Sequence, residues 1–204
     1  MTGVHAQAVV HEGAKLGREV EIGPFCVVGP DVTLGDGCRL LSHVVVEGHT
    51  EVGAGTVISP FASIGAAPQD LKYGGEPTRL VIGERNTLRE SITLNRGTPG
   101  GGGITRIGDD NLMMAYTHVG HDCQIGNGNI LANGATLAGH VDVGDRATIG
   151  AYSGIHQFCR VANHAFIGGF SVVTQDALPW VTTVGNRAKA YGLNVIGLRR
   201  GGYS

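Results

Sequence analysis

Two histidines and an aspartate lie within six residues of one another in the segment 118–123, HVGHDC. An imidazole that is held by a hydrogen-bonding partner can act as a general base near neutral pH. The pair His121 and Asp122 suits that chemistry best, but adjacent strand residues point to opposite faces, so their contact requires a corner in the chain. Two other chemistries stay open. Histidines can hold a metal ion, and a nucleophilic mechanism would use a Ser or Cys beside a base.

The elements that must position these residues follow from a period of six. An aliphatic residue stands at every sixth position from Val4 to Ile64 and again, in a second frame, from Ile107 to Val173. The position two residues before each aliphatic holds a small side chain, and glycine often follows the aliphatic, where the chain must turn sharply. Each unit is therefore a short strand and a corner, and such units are stable only when they stack into a solenoid.

If three units form one coil, residues eighteen apart in sequence lie on top of one another at about 4.8 Å. Asp122 and His140 are then stacked neighbours, and Gly139 lies one coil above His121. The same spacing predicts one edge that gathers polar residues from three successive coils, namely His118, His121, Asp122, His140, His156 and Gln157. The remaining histidines have no polar partner at this spacing and are predicted to be surface or corner residues, and they are His5, His11, His43, His49 and His164.

The period breaks in three places, and loops on a rigid scaffold commonly carry function. From Gln69 to Arg79 the sequence leaves the pattern and concentrates charged residues, which predicts an excursion from the wall of the solenoid. The glycine-rich segment 98–103 lengthens a step from twelve residues to thirteen and predicts a flexible loop, which is either functional or a tolerated insertion. The repeat ends at residues 178–180, LPW.

Composition and charge argue against several classes of function. The formal net charge is −2, and no basic run is long enough to suggest nucleic-acid binding. No apolar run approaches the ~20 residues of a membrane span, and the N-terminus lacks the features of a signal peptide, so a cytoplasmic protein without a membrane span is expected. Four cysteines occupy the small inward position and are predicted to be packing residues, and they are Cys26, Cys38, Cys123 and Cys159.

Several segments are more specific than the repeat, namely GPFC at 23–26, SHVVV at 42–46, QDLKY at 69–73, GEPTR at 75–79, HVGHDC at 118–123, LAGHV at 137–141 and HQFC at 156–159. The period-six pattern resembles the hexapeptide acyltransferases. QDLKY together with HVGHDC narrows the resemblance to the UDP-N-acetylglucosamine O-acyltransferase family of lipid A biosynthesis, over essentially the whole chain. The resemblance implies an all-β fold, a left-handed parallel β-helix with two loop excursions and a short non-repeat C-terminal tail. It also implies a homotrimer with active sites in clefts between subunits.

By this resemblance His121 is the general base that takes the proton of the glucosamine 3-hydroxyl of UDP-N-acetylglucosamine. That hydroxyl attacks the thioester of a 3-hydroxyacyl group on acyl carrier protein, Asp122 orients or polarises His121, and the backbone N–H of Gly139 stabilises the oxyanion. Neither a cofactor nor a metal is implied. The implied substrate contacts are Gln69, Asp70, Lys72, His118, His140, His156, Gln157, Asn194 and Arg200. Gly169 falls at the family's acyl-length ruler, where glycine leaves the groove open for a longer chain.

The expected domains are a β-helix acyltransferase domain over residues 1–178 and a C-terminal tail over 179–204, a remnant of the family's helical domain. Two positions depart from the family pattern. Gly201 replaces one of two tandem basic residues, which bears on the nucleotide site, and Asn95 stands where a histidine is often found. Two alternatives stay open: a metal-dependent hydratase on the same scaffold, resembling β-helix carbonic anhydrases, and a truncated form that binds nucleotide sugar or carrier protein without turnover.

Overall fold

The computed structural model describes residues 3–203. The six-residue units fold as the period predicts, because the aliphatic residue and the small residue two positions earlier both point into the interior. Cys26 and Val28, for example, are fully buried, whereas Val27 between them is only half-buried. The short strands that result cannot bury their apolar side alone, so each depends on the coils above and below it.

The described residues form twenty-eight short β-strands, one 3₁₀ helix and one α-helix. In chain order the strands are β1 (Gly3–Val4), β2 (Val9–Val10), β3 (Lys15–Leu16), β4 (Glu21–Ile22), β5 (Val27–Val28), β6 (Thr33–Leu34), β7 (Arg39–Leu40), β8 (Val45–Val46), β9 (His49–Val52), β10 (Val57–Ile58), β11 (Ser63–Ala66), β12 (Arg79–Ile82), β13 (Thr87–Leu88), β14 (Thr93–Asn95), β15 (Ile104–Ile107), β16 (Leu112–Met113), β17 (His118–Val119), β18 (Gln124–Ile125), β19 (Ile130–Leu131), β20 (Thr136–Leu137), β21 (Asp142–Val143), β22 (Thr148–Ile149), β23 (Gly154–Ile155), β24 (Arg160–Val161), β25 (Phe166–Ile167), β26 (Val172–Val173), β27 (Val181–Val184) and β28 (Lys189–Leu193). The 3₁₀ helix covers Pro99–Gly101, and the α-helix, α1, covers Val195–Arg200.

Strands one coil apart pair in parallel and build three sheets along the solenoid. The first sheet begins with β1 and β4, the second with β2 and β5, and the third with β3 and β6. A regular coil advances the register by eighteen residues, as in the pairing of His118 with Thr136. The predicted fold class, a left-handed parallel β-helix, is confirmed. We call the turn between the first and second sheets corner 1, that between the second and third sheets corner 2, and that between the third and first sheets corner 3.

The interior is a stack of aliphatic side chains closed by small residues, and all four cysteines are buried there as free thiols. Burial raises the pKa of Cys123 to about 12, which makes this thiol a poor nucleophile. The small inward position also supplies hydrogen bonds. The side-chain oxygen of Asn86 accepts the N–H of Asn111 at 2.9 Å, and the side-chain oxygen of Asn111 accepts the N–H of Asn129 at 2.8 Å. Asparagine amides therefore connect successive coils inside the prism.

Two excursions leave the wall. The first covers residues 67–78, between β11 and β12, and it lengthens the pairing step to thirty, since His49 pairs with Arg79. Arg79 is thus part of a strand, and the expected end of this excursion was one residue too late. The second excursion precedes β15 and lengthens the step to twenty-five, since Arg79 pairs with Ile104. Neighbouring strands of one coil are six residues apart, so the thirteen-residue step from Leu94 to Ile107 contains an insertion of seven residues. The expected insertion of one residue was wrong, because it was counted from a step of twelve residues.

The chain beyond the repeat adds to the first sheet. Strand β27 pairs in parallel with β25, and β28 returns antiparallel to β27 before α1 begins. The hexapeptide period gave no indication of β27, and the division at residue 178 into two domains stays a prediction. In the part of the chain that the structure describes, helices long and apolar enough to cross a membrane are absent. The cytoplasmic location also stays a prediction.

Candidate active site

Corner 2 brings His121 and Asp122 into contact. Asp122 has a φ of +61°, in the left-handed region, which aspartate tolerates better than most residues. This turn removes the alternation that would separate neighbouring strand residues, and His121 Nδ1 lies 2.8 Å from Asp122 Oδ2. The sequence left this contact dependent on corner geometry, and the left-handed residue supplies that geometry.

The carboxylate of Asp122 is buried and fully engaged. Its side chain is 1% exposed. Oδ1 accepts the backbone N–H of Thr98 at 2.8 Å, and Oδ2 accepts the Thr98 hydroxyl at 2.6 Å in addition to His121 Nδ1. The backbone N–H of Asp122 donates to the hydroxyl of Thr105 at 2.8 Å. Because a buried carboxylate that accepts several hydrogen bonds is held in one orientation, it is a suitable partner for an imidazole.

His140 and Gly139 border the imidazole of His121 from the next coil. The two histidine rings are perpendicular with centroids 5.0 Å apart, and His140 Nε2 lies 3.8 Å from Asp122 Oδ2. A Cβ added to Gly139 would lie 2.6 Å from His121 Nε2, so only glycine fits against this ring. Among the described residues, neither His121 Nε2 nor the backbone N–H of Gly139 has a hydrogen-bond partner. A free acceptor and a free donor therefore lie side by side at corner 2.

His118 lies below the pair on β17. Its Nδ1 is 2.7 Å from the hydroxyl of Thr93, and the side chain is partly buried. Desolvation, and secondly the nearby His121, lower the pKa of His118, which favours the neutral imidazole. A neutral histidine at this place can accept or donate a hydrogen bond without adding a second positive charge beside His121.

A metal ion is the main alternative occupant of this corner. Possible ligand atoms of His121, Asp122 and His140 lie within 4.8 Å of one another. Such a centre needs ligand atoms that are free to converge on the ion. Both oxygens of Asp122 instead accept hydrogen bonds, two from Thr98 and one from His121. The arrangement favours a hydrogen-bonded imidazole–carboxylate pair over a metal centre.

A cavity of about 400 Å³ opens beside the corner and joins both excursions to it. The first excursion lines it with Asp70, Lys72, Tyr73 and Glu76, the second with residues 98–100, and the corner with His140 and Phe158. Charged groups of both signs therefore face the imidazole of His140. Such a cavity suits a polar ligand that carries both donors and acceptors.

The structure brings only part of the expected site together in one chain. His156 and Gln157 occupy corner 2 one coil beyond His140, as the eighteen-residue spacing predicts, but both are exposed. Gln69 is exposed at the start of the first excursion, outside the residues that line the cavity. Gly169 lies at corner 1, where an added Cβ would meet only the backbone of Ala151, at 3.3 Å or more.

Asn194 and Arg200 lie near corner 3, away from His121. The side chain of Asn194 accepts the N–H of Gly197 at the start of α1 and donates to the backbone oxygen of His164, both at 3.0 Å. Both ends of this amide are thus engaged within the chain. Arg200 is exposed and forms no ion pair among the described residues, so its guanidinium is available.

Sequence reasoning missed several contacts. His49 does have a charged neighbour eighteen residues away, because its Nδ1 lies 3.9 Å from Asp31, so the expectation that His49 has no polar partner at this spacing was wrong. Phe158 stacks on His140 with ring centroids 4.6 Å apart, a contact that the eighteen-residue spacing could have predicted. Asn95 anchors the first excursion by donating to the backbone oxygen of Ala67 at 3.1 Å. Neither the spacing nor the residue type of Asn95 indicated that role.

The chain is similar to proteins of known structure. The family Bacterial transferase hexapeptide (six repeats) matches residues 13–48 and 104–139. A crystal structure of a UDP-N-acetylglucosamine acyltransferase is 49% identical over 97% of this chain and 76% of its own, with a TM-score of 0.95. LpxA from Acinetobacter baumannii is 46% identical over 98% of this chain and 78% of its own, with a TM-score of 0.97. The UDP-N-acetylglucosamine acyltransferase of Arabidopsis is 40% identical over 98% and 77%, with a TM-score of 0.85. At this coverage the similarity includes residues beyond the hexapeptide repeat.

Proposed function

The chain belongs to the UDP-N-acetylglucosamine acyltransferase family, and we propose that it transfers a 3-hydroxyacyl group from acyl carrier protein to the glucosamine 3-hydroxyl of UDP-N-acetylglucosamine. This is the first step of lipid A biosynthesis. The observation that carries the proposal at the level of residues is the 2.8 Å contact between His121 Nδ1 and the buried carboxylate of Asp122. That contact fixes the ring and leaves Nε2 free to accept a proton.

The proposed reaction begins with the sugar hydroxyl. His121 Nε2 takes its proton while the oxygen attacks the carbonyl carbon of the thioester, and the Asp122 carboxylate stabilises the imidazolium that forms. The tetrahedral oxyanion accepts the backbone N–H of Gly139, which is otherwise without a partner in the described chain. Collapse of the intermediate breaks the C–S bond, and the imidazolium returns its proton to the departing thiolate. The products are the ester and the free thiol of the carrier protein.

The proposed substrate contacts follow the cavity. Asp70 and Lys72 face His140 across it and would bind the hydroxyl and phosphate groups of the sugar nucleotide, with Gln69 beside them. His118, His156 and Gln157 would extend the polar surface along corner 2. Lysine is a compact cation that suits a phosphate, whereas aspartate accepts from sugar hydroxyls.

We further propose that the working enzyme is a homotrimer. Gly169 and Arg200 lie at corners 1 and 3, whereas His121 lies at corner 2, so one chain cannot offer them to the same substrate. A cleft between neighbouring chains would unite residues from different corners, with Asn194 as a capping residue near the nucleotide. Analytical ultracentrifugation tests this proposal. A species of three times the 21.1 kDa chain mass supports it, and a monomer that retains full activity contradicts it.

The central experiment measures acyl transfer from a carrier-bound 3-hydroxyacyl thioester to UDP-N-acetylglucosamine. His121→Ala is expected to lower kcat by roughly 10²–10⁴-fold, the usual contribution of a general base. His11→Ala is the matched control, since His11 is an exposed histidine at the same corner, far down the solenoid. Equal activity of both variants and the wild type would reject the assigned base.

Two further measurements separate the alternatives. Stoichiometric zinc in purified protein, with activity lost on chelation, would favour a metal-dependent hydratase. Saturable binding of UDP-N-acetylglucosamine without any product from a pool of acyl donors would favour a binding protein. In the described part of the chain, the cluster of His121, Asp122 and His140 is the one observation that favours the metal-dependent alternative, and the hydrogen bonds that both oxygens of Asp122 accept weigh against it.

A further inference from the structure

The second excursion, residues 97–103, closes over the carboxylate of Asp122. Its first two residues, Gly97 and Thr98, are buried, and Thr98 contacts Asp122 twice. The Thr98 backbone N–H donates to Oδ1 at 2.8 Å and its hydroxyl donates to Oδ2 at 2.6 Å. The hydroxyl therefore binds the same oxygen that faces His121 Nδ1.

Hydrogen bonds to the backbone of Thr98 define the shape of the loop. The backbone oxygen of Thr98 accepts the N–H of Gly101 at 3.1 Å and that of Gly103 at 2.8 Å, so the loop folds back on Thr98. A Cβ at Gly101 would lie 2.0 Å from Cγ of Asp122, and a Cβ at Gly97 would lie 2.8 Å from Oδ1. Glycine is required at Gly101 because the backbone itself covers the carboxylate, and at Gly97 because the backbone of Gly103 and Ile104 also lies within contact distance. The excursion is thus built around Asp122 and is not a neutral insertion.

We propose that Thr98 is a positioning residue that holds the Asp122 carboxylate in place and sets how strongly it attracts the proton on His121. The inference rests on the proposed function, since it concerns the general base of that reaction. Two hydrogen bonds from one residue fix both carboxylate oxygens, and hence the plane in which Oδ2 meets the imidazole. The hydroxyl also draws negative charge away from Oδ2, which keeps the imidazolium from becoming too stable to return its proton.

Other ionisable groups act on the same imidazole and stay constant in the test. His118 and His140 flank the ring of His121, and Asp70, Lys72 and Glu76 line the same cavity as His140. None of them contacts Thr98 by a hydrogen bond or an ion pair. A change at the Thr98 hydroxyl therefore reaches His121 through Asp122.

Thr98→Val removes the hydroxyl at nearly constant volume and keeps the backbone N–H. We expect kcat to fall about 10-fold with the KM for UDP-N-acetylglucosamine unchanged, because the His121–Asp122 pair acts in proton transfer and contributes little to substrate binding. The acid limb of the kcat/KM profile should move up by about half to one pH unit, because Oδ2 loses a donor and stabilises the imidazolium more. Thr98→Ser should restore both values.

The controls separate positioning from folding. Thr148→Val makes the same change on a strand of the first sheet, where the hydroxyl has no hydrogen-bond partner within residues 3–203, and it should leave the pH profile unchanged. Thermal unfolding of each variant reports whether the solenoid is intact. If Thr98→Val does not fold, Thr98→Ala supplies the same comparison with a smaller side chain.

The titration of the His121 ring protons by NMR, assigned with the His121→Ala variant, gives a readout that needs no turnover. A rise in the His121 titration midpoint in Thr98→Val supports the inference. An unmoved midpoint and acid limb overturn it, whether or not kcat falls, because a purely structural role would leave them in place. A wild-type protein without acyl transfer would refute the proposed function, and the NMR titration would still decide whether Thr98 acts on His121.

Discussion

Replacing Gly139 with alanine tests the contact on which the proposed proton transfer depends. The new Cβ would lie 2.5 Å from Cε1 and 2.6 Å from Nε2 of His121. Ordinary contact begins at 3.4 Å, so the imidazole must retreat by roughly 0.9 Å, or the corner must open by the same distance. The group that must move is the imidazole ring of His121, the proposed base.

The expected loss follows from that displacement. Misplacing a catalytic group by about 1 Å can cost about 10²-fold in rate, which corresponds to about 2.7 kcal/mol in the activation free energy. The loss should appear in kcat, because the displaced atom exchanges a proton in the transition state and contributes little to substrate binding. The added methyl also stands beside the N–H proposed to bind the oxyanion, which acts in the same direction.

The assay is steady-state acyl transfer, with Gly154→Ala as the matched control. Among the described residues apart from its chain neighbours, a Cβ at Gly154 would meet no atom within 4 Å. Gly154 lies in the second sheet, where it pairs with Thr136 on the strand that precedes Gly139. The control should retain wild-type kcat, and both variants should unfold at similar temperatures. Wild-type kcat in Gly139→Ala would refute the placement of the reacting groups against this glycine. A loss of activity matched by a large fall in Tm would refute the claim that the effect is local.

Three further outcomes are expected. Asp122→Asn should lower kcat by roughly 10²–10⁴-fold, because an amide can donate to Nδ1 of His121 and thereby shift the ring proton to Nε2; a kcat within about threefold of the wild type would contradict this. His118 has a pKa lowered below its ordinary 6.5, so its contribution to stability is present above that value and is lost as the pH falls through it. The unfolding free energy of His118→Gln should therefore decrease less between pH 7.5 and 5.5 than that of the wild type, as measured by urea titration, and identical slopes would show that burial of His118 is unimportant. Gly169→Met should shift donor preference toward shorter acyl chains, as read by mass spectrometry of products from a mixed donor pool; an unchanged product distribution would separate Gly169 from the acyl groove.

The period of six was sufficient to predict the walls of the molecule. From β4 to β26 the inward aliphatic residue of each strand is buried and the residue before it is more exposed, and a one-residue slip would expose the aliphatic row, so register and stacking follow directly from the pattern. The eighteen-residue step placed Gly139 over His121 and His140 over Asp122, and both placements are confirmed. These predictions succeeded because each depends only on counting along a regular coil.

The conformations of the excursions could not be predicted in this way, because the eighteen-residue step no longer applies where the wall of the solenoid is interrupted. The pattern could not show that residues 97–103 fold over Asp122, since that depends on backbone turns at glycines and on one hydroxyl. The anchoring of the first excursion also lay outside the pattern, because the Tyr73 hydroxyl is held by Arg96 and by the backbone of Glu76. In addition, Gly169 and Arg200 lie at other corners than His121. Their proposed part in the same site requires a second chain, which the spacing within one chain cannot predict.

The second excursion, which interrupts the stacking of coils at corner 2, explains why the proposed site lies at this coil and at no other. At corner 2 of the next coil, the N–H of His140 donates to the backbone oxygen of His121, as stacked corners do elsewhere. The seven-residue insertion lies beneath Asp122, and the N–H of Asp122 donates to the hydroxyl of Thr105. Glycine backbone packs closely against the carboxylate of Asp122, and Thr98 donates two hydrogen bonds to it, which allows the charge to be buried. At most of the regular corners the side chains of the left-handed residues are exposed, as those of Phe25 and Tyr152 are. Interrupting the solenoid once creates a buried charge next to an accessible imidazole, which is the arrangement that a general base requires.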